Sequence, residues 1–483
     1  MGEKNLVGRE VECKKLEECM QKTTAQLVVV TGRRRVGKTF LINEFFEKEF
    51  DFKLTGEYKA PKAVQLENFT LELNRRTQEK HPVASRWKTA FEQLRLYISA
   101  LPKSEKHILF FDEMPWMDTP KSDFLSSFEY FWNDFGCACD NLIFIICGSA
   151  TSWISEKIEH NKGGLFNRLT CSLFLQPFTL QETEAYLHHA GMPWSRYDIA
   201  ECYMIIGGIP YYLDFLSPEQ TLSENIDQLF FRKSAYLLDE FDQLYRTLFS
   251  NSDQYVKIAE TLSGKRRGMT KQELAEKGGL PLNGDLTKKL NALIRSGFVR
   301  ASAAFHLKKK EMQYQLCDYF SLFYFRFVKN NFGKDEHFWT HNLDNPARRA
   351  WAGFTFEQLC KDHLGQIKQK LGISGVLTRE STWQVQAKPS DAESTDGAQI
   401  DMVLDRRDHI ITLCEMKFSL NEYEIDKAYD RSLRNKIDTF RRQTGTTKTL
   451  QLAMITTFGV KKNKYSNLVG SQILLDDLFR PLI

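Results

Sequence analysis

Gln26-Leu-Val-Val-Val-Thr31 runs directly into Gly32-Arg33-Arg34-Arg35-Val36-Gly37-Lys38-Thr39-Phe40. A short, β-branched apolar run of this kind reads as a buried strand, and the residues after it return to a helical pattern. Between strand and helix lies G-x-x-x-x-G-K-T, in the context that gives the motif its meaning. Gly32 and Gly37 let the backbone curl, so that consecutive N–H groups from Arg33 to Phe40 and the helix N-terminus face an anionic ligand. At this spacing Lys38 reaches the β- and γ-phosphates of a nucleoside triphosphate, and the Thr39 hydroxyl is placed to ligate Mg²⁺.

Such a loop needs a carboxylate at the end of a neighbouring strand for the metal, and a base for water. His107-Ile-Leu-Phe-Phe111-Asp112-Glu113 supplies both. Asp112 would hold Mg²⁺ through its hydration shell, and Glu113 would orient or deprotonate the attacking water. Another apolar run ends in Gly148-Ser149-Ala150-Thr151, where Ser149 either senses the γ-phosphate or sits in a plain turn. Strands are expected over 26–31, 53–55, 107–111 and 141–147, with helices over 39–50 and 121–134. Strands alternating with helices predict a parallel α/β sheet.

The chain has 483 residues, enough for about three domains at roughly 100–200 residues each. Hydrophobic residues at 42%, charged residues at 27%, 27 Gly and 13 Pro exclude a disordered or collagen-like chain. No apolar run approaches the roughly 18 residues of a membrane span, and Met1-Gly-Glu-Lys-Asn-Leu6 has no signal-peptide core. A soluble, cytoplasmic protein without a membrane partner is expected. The net charge of +4 is too small to announce a nucleic-acid partner by itself. The ten cysteines are scattered, with only Cys137 and Cys139 close together, so reduced thiols are expected rather than a metal site.

The pattern divides the chain into an ATPase-like core (1–178), a helical lid (179–250), a third part (251–317), a linker (318–346) and a separate α/β domain (347–483). In the third part, Thr270-Lys-Gln-Glu273 is a capping box opening the second of three short helices, and two β-like runs follow. Three helices and a hairpin make a winged helix.

The set Val7-Gly8-Arg9-Glu10, residues 32–39, 111–116, Gly148-Ser149, Gln176-Pro177-Phe178 and Gly207-Gly208-Ile209-Pro210-Tyr211-Tyr212-Leu213 resembles the archaeal-type AAA ATPase family. That family lies near the AAA+ and STAND NTPases. Its members commonly continue through a winged helix into a restriction-endonuclease-like domain, so the resemblance covers nearly the whole chain. It implies ATP and Mg²⁺ as cofactors, with Val7, Gly8 and Arg9 on the adenine side and Pro210 packing near the base. Read from the residues alone, Gly-Gly-x-Pro is a helix-breaking turn. Arg168 stands where relatives carry a Gly-Arg pair, but Asn167 replaces the glycine. The resemblance makes Arg168 a γ-phosphate contact in cis or in trans; a surface salt bridge is the plainer reading.

In the last domain, Gly397-Ala-Gln-Ile-Asp401-Met-Val-Leu and Ile410-Ile-Thr-Leu-Cys-Glu415-Met-Lys417 read as two strands of a hairpin. Alternation puts Glu415 and Lys417 on one face, and pairing brings Asp401 beside them. Two carboxylates and a lysine suit metal-dependent phosphodiester cleavage, with Asp401 and Glu415 holding the metal and Lys417 activating water. The pattern resembles the PD-(D/E)XK nuclease core, and Glu357 resembles its helix-borne acid. A half-exposed hairpin would carry the same residues. From 426 to 464 ten basic residues face three Asp, a local +7 that leaves −3 for the rest of the chain. This segment is the expected DNA surface, with Lys265-Arg266-Arg267 and Lys308-Lys309-Lys310 of the winged helix as a second one.

The resulting expectation is an ATP-hydrolysing protein with a nuclease-like, DNA-associated carboxyl-terminal domain, able to form oligomers. Two other readings stay open. One is a STAND-like regulatory NTPase whose last domain only binds or assembles; the other is a winged-helix transcription regulator.

Overall fold

The computed structural model describes residues 6–149, 151–159, 164–165, 167–249, 251–303, 305, 312–331, 333–385 and 397–482. The chain divides into two compact units, Met1–Pro177 with Ile209–Tyr211, and Phe178–Gly208 with Tyr212–Ile483.

The first unit is built on β1 (Gln26–Gly32), β2 (Phe52–Thr55), β3 (His107–Asp112), β4 (Leu142–Cys147) and β5 (Cys171–Leu175). All pairings are parallel, in the order β2-β3-β4-β1-β5. The continuously apolar β1 and β4 are central and buried along their whole length, as a sheet covered on both faces requires. The edge strands β2 and β5 alternate between buried and exposed positions. Helices Lys62–Thr77 and Trp87–Ala100 fill the crossover from β2 to β3. They bring Phe69, Trp87 and Phe91 against Phe111 and Phe144 of the sheet, together with Phe124 and Phe128 of helix Phe124–Asp134. The helix expected over 39–50 runs only over Lys38–Phe45. Glu47 and Lys48 turn into the left-handed region, which seats Phe46 and Phe50 in the core, the latter ring 5.3 Å from Phe110.

The second unit begins with helices whose starts are written in the sequence. Thr179, Ser195, Thr221 and Thr270 each cap a helix in a reciprocal capping box with Glu182, Asp198, Glu224 and Glu273. Helices Ser252–Ser263, Lys271–Gly278 and Gly284–Arg295 lead into β6 (Val299–Ser302) and β7 (Gln313–Leu316), an antiparallel pair. Lys308-Lys309-Lys310 lies outside the described residues.

The stretch 318–346 departs from the expected linker. It forms helix Tyr319–Phe323, a π-helical turn Tyr324–Val328 and helix Phe338–His341, with Phe320, Phe323 and Trp339 almost wholly buried. The buried Asp227 carboxylate accepts from the backbone N–H of Trp339 (2.7 Å) and Thr340 (3.1 Å), tying the segment to helix Leu222–Phe230. Its aromatic content is core material, and the polar residues between the rings concealed that.

The last sheet contains β8 (Thr378–Val385), β9 (Ala398–Arg406), β10 (Ile410–Lys417), β11 (Thr449–Thr456) and β12 (Ser471–Leu474), in the order β12-β11-β10-β9-β8. The β8-β9-β10 part is antiparallel and the β10-β11-β12 part parallel. Helix Lys427–Thr444 is the crossover between β10 and β11, its Phe440 packing on Trp383 of β8. No helix of the described residues is long and apolar enough to cross a membrane.

Candidate functional site

The loop after β1 lies at the carboxyl ends of three adjacent parallel strands, where open α/β sheets place their ligands. The register pairs Val30 with Cys147 and Phe111 with Ile146, so Gly32, Asp112 and Ser149 emerge at one edge. Gly32 has φ +145°, and a Cβ there would meet the Leu175 carbonyl oxygen at 2.4 Å. Gly37 has φ +86° with open space where a Cβ would stand, a backbone that leaves room for a ligand.

Lys38 opens helix Lys38–Phe45 and is almost wholly buried. Its ammonium donates to the carbonyl oxygens of Arg33 (2.9 Å) and Gly32 (3.3 Å), so it spans the loop from within. The Thr39 hydroxyl donates to Asp112 Oδ2 at 2.9 Å. A hydroxyl and a carboxylate this close form the hard oxygen pair that suits Mg²⁺, whose remaining ligands are commonly phosphates and water. The residues present therefore fit a magnesium-bound nucleoside triphosphate. Glu113 has φ +45°, uncommon for a residue with a side chain. Its carboxylate accepts from the Ser149 hydroxyl (2.6 Å) and backbone N–H (3.2 Å).

Arg9 sits on the loop, donating from Nη2 to the Val36 carbonyl at 3.1 Å. Gly8 beside it is left-handed, and Val7 precedes it at the entrance to helix Glu10–Gln21. Pro210 opens the short helix Pro210–Leu213. The neighbouring Tyr211 is the contact the sequence reading did not assign: the Arg35 guanidinium lies 3.8 Å from its ring centroid. Phe40 is about half exposed. Arg168 is exposed, and none of the described bonds links it to the loop.

The carboxyl-terminal residues form a second cluster. Pairing of Cys414 with Met402 sets Glu415 opposite Asp401, and the Met416 N–H donates to Asp401 Oδ2 at 3.0 Å. Glu415 is 1% exposed, and its two oxygens accept from Lys436 Nζ at 2.7 Å each. The Tyr429 hydroxyl donates to the same carboxylate at 3.1 Å. Burial first, then the negative charge of Asp401, push the Glu415 carboxyl above its ordinary range, with Lys436 pulling it back. Glu357 is pushed up to about 7 by burial and by Asp401, against the pull of Lys361, Lys417 and Arg267. Lys417 rests 5.2 Å from the Tyr429 ring centroid.

Asp401 and Lys417 thus lie within electrostatic reach of both Glu415 and Glu357. Glu415 is engaged by Lys436, and no group of three or more His, Cys, Asp or Glu side chains among the described residues is arranged to hold a metal ion. The basic segment is likewise reduced. Arg434 pairs with Asp430, Lys436 with Glu415, Lys448 with Asp405 and Lys461 with Glu424, while Lys427, Arg431, Arg441, Arg442, Lys462 and Lys464 stay exposed.

Residues 6–216 match the sequence profile of an ATPase domain found predominantly in Archaea. An uncharacterized protein of Methanocaldococcus jannaschii is 24% identical over 430 residues, 88% of this chain and 90% of that one. A Walker-type ATPase of Pyrococcus abyssi superposes with a TM-score of 0.47 at 17% identity, covering 67% of this chain and 97% of the other. The ORC2 protein of Aeropyrum pernix, solved with ADPNP and ADP, gives 0.41 at 14% identity, covering 68% and 94%. The parallel five-stranded sheet, the phosphate loop and the profile match together make the amino-terminal part of the chain a P-loop ATPase domain.

Proposed function

We propose that the chain is a Mg²⁺-dependent ATPase in which nucleotide binding and hydrolysis act on a nucleic-acid-associated carboxyl-terminal domain of nuclease-like fold. The observation that carries the first half is the Thr39–Asp112 hydrogen bond beside a buried Lys38. These groups assemble the metal-side oxygens and the phosphate-side cation in one place. Lys38 would exchange its two carbonyl partners for β- and γ-phosphate oxygens, the loop N–H groups would hold the rest of the triphosphate, and Glu113 would accept the proton of the attacking water. ATP supplies the phosphoanhydride and Mg²⁺ the charge neutralisation. Arg35 stacked on Tyr211 would hold the loop's outer turn, and Arg168 remains a γ-phosphate contact in this reading. Lys38→Ala should weaken ATP binding roughly 10- to 100-fold, the loss of one charge-assisted contact of about 1.5–3 kcal/mol. Calorimetric titration with Mg²⁺-ATP reads this directly; undiminished affinity would place the nucleotide elsewhere.

The second half rests on the mixed β8–β12 sheet with its paired Asp401 and Glu415, and on six exposed cations at 427–464. The three helices and hairpin at 252–316 support a winged helix, and the helices at 180–248 a lid. Replacing Arg441, Arg442 and Lys462 by Gln should lower the salt slope of duplex DNA binding by about 2.7, at ~0.9 per phosphate contact. An unchanged slope would leave these residues facing solvent only. A second reading, binding without cleavage, is favoured by the Lys436–Glu415 pair, which occupies the carboxylate a metal would need.

A further inference from the structure

A cavity of about 270 Å³ opens in the second unit, bounded on one side by the turn 265–268 and on the other by β8 and β9. Arg266 and Arg267 of the turn line it, as do Glu357 and Lys361 of helix Pro346–Asp362, Trp383 of β8 and Asp401 of β9. Glu357 and Lys361 share a helix face, being four residues apart.

The turn is held in place at both ends. Gln315 Nε2 donates to the Arg266 carbonyl at 2.7 Å, and Arg267 Nη1 donates to Gln384 Oε1 of β8 at 2.6 Å. Lys265 is neutralised by Glu273, its ammonium 2.8 and 3.0 Å from the two carboxylate oxygens. Among the described residues, Arg266, Arg267 and Lys361 line the cavity together with Glu357 and Asp401; Arg267 and Lys361 act on Glu357, and the Arg266 guanidinium lies 5.8 Å from the Phe354 ring centroid. The cations are segregated on the turn and the helix, while Asp401 lies on the sheet floor. Both arginines are exposed. Guanidinium groups present several N–H donors in a plane and match phosphate geometry better than ammonium groups.

We infer that this cavity takes one backbone unit of a single nucleic-acid strand, with Arg266 and Arg267 holding its phosphate beside Glu357 and Asp401. The turn of the three-helix module and the acid-bearing sheet then form one composite site, so engagement by the module delivers the strand to the acids. This rests on the nucleic-acid reading above and adds a ligand-holding wall to it. The size argues for a strand, since about 270 Å³ lies just below the roughly 300–1,000 Å³ range of ligand pockets, while a duplex is read along grooves ~6 to ~12 Å wide.

The test is fluorescence anisotropy of a labelled 15-residue oligodeoxythymidine with the full chain in EDTA, across a salt series, for the parent and R266Q/R267Q. Both positions are exposed, and because R267Q also removes the Arg267–Gln384 bond that holds the turn, R266Q alone, which leaves that bond in place, should weaken binding in the same direction. The double variant should bind at least tenfold more weakly, with a salt slope lower by about 1.4, at ~0.7 per contact for single strands. Parental affinity and slope in R266Q/R267Q would overturn the composite site and leave the nucleic-acid reading standing. Failure of the parent to bind any oligonucleotide would overturn both. An oligouridine of equal length separates RNA from DNA as the source of the strand. A blunt 15-base-pair duplex bound as tightly as the strand, with the same dependence on the two arginines, would overturn the assignment to a single strand. Cleavage with Mg²⁺ by the parent, lost in D401A while R266Q/R267Q merely needs more oligonucleotide, would support the arginines as holders rather than as catalytic residues.

Discussion

Glu113→Gln should bind Mg²⁺-ATP as the parent does and lose hydrolysis by about 10²- to 10⁴-fold, the usual contribution of a positioned general base. In the proposed mechanism Lys38, Thr39 and Asp112 would hold the phosphate and metal side, and none of them hydrogen-bonds to the Glu113 side chain. Its carboxylate is fixed separately, by the Ser149 hydroxyl and N–H. The substitution keeps the shape and the hydrogen-bonding oxygen while removing the proton acceptor, so binding and chemistry should separate. Ser149→Ala provides the graded comparison. It removes one hydrogen bond of about 1.5 kcal/mol to a charged group and should slow turnover only about tenfold. Single-turnover hydrolysis of radiolabelled ATP, with binding measured in parallel, distinguishes the two. Equal turnover by Glu113→Gln and the parent would remove the base from the mechanism.

The phosphate loop was legible because a tight anion-binding turn allows few residue types at fixed spacings. Asp112-Glu113 was legible because strand ends meet at one edge of a parallel sheet, so an acidic pair after an apolar run can be placed without knowing the intervening helices. Arg35 against Tyr211 was not readable, since the contact joins residues far apart through packing alone. The same holds for Lys436. Hairpin pairing brings Asp401 beside Glu415, as the β9–β10 register has it, but the partner that occupies Glu415 comes from helix Lys427–Thr444, whose rotation is set by Leu433 and Phe440 in the core. Local charge therefore overstated the basic surface, because four of its cations are spent in ion pairs. The segment 318–346 misled for the opposite reason: polar residues mask Trp339, whose ring lies 5.0 Å from Phe323 and 4.3 Å from the Arg348 guanidinium.

Lys436→Met should destabilise the second unit by about 3–5 kcal/mol at pH 7 to 8, the typical result of removing one partner from a buried ion pair. Glu415 is 1% exposed, so the carboxylate left behind loses its two bonds of 2.7 Å with little access to solvent, keeping the Tyr429 hydroxyl as a donor and Lys417 as a nearby cation. The pH dependence follows from the direction of the shift. Burial and Asp401 already hold the Glu415 carboxyl above its ordinary range in the folded chain, and Lys436 opposes them, so deleting the lysine raises it further. A carboxyl raised on folding favours the folded state most when protonated. That stability is present below the unfolded-state value and is lost as pH rises through the folded-state value. The penalty in Lys436→Met should accordingly shrink toward pH 5 and grow toward pH 8. Glu415→Gln with Lys436→Met should recover most of the loss, because a neutral amide against a thioether buries no charge. Denaturant unfolding of the three proteins at pH 5, 6.5 and 8 measures this. A penalty independent of pH, or a double variant no more stable than Lys436→Met, would mean that packing of the lysine stem rather than its charge supports the cluster.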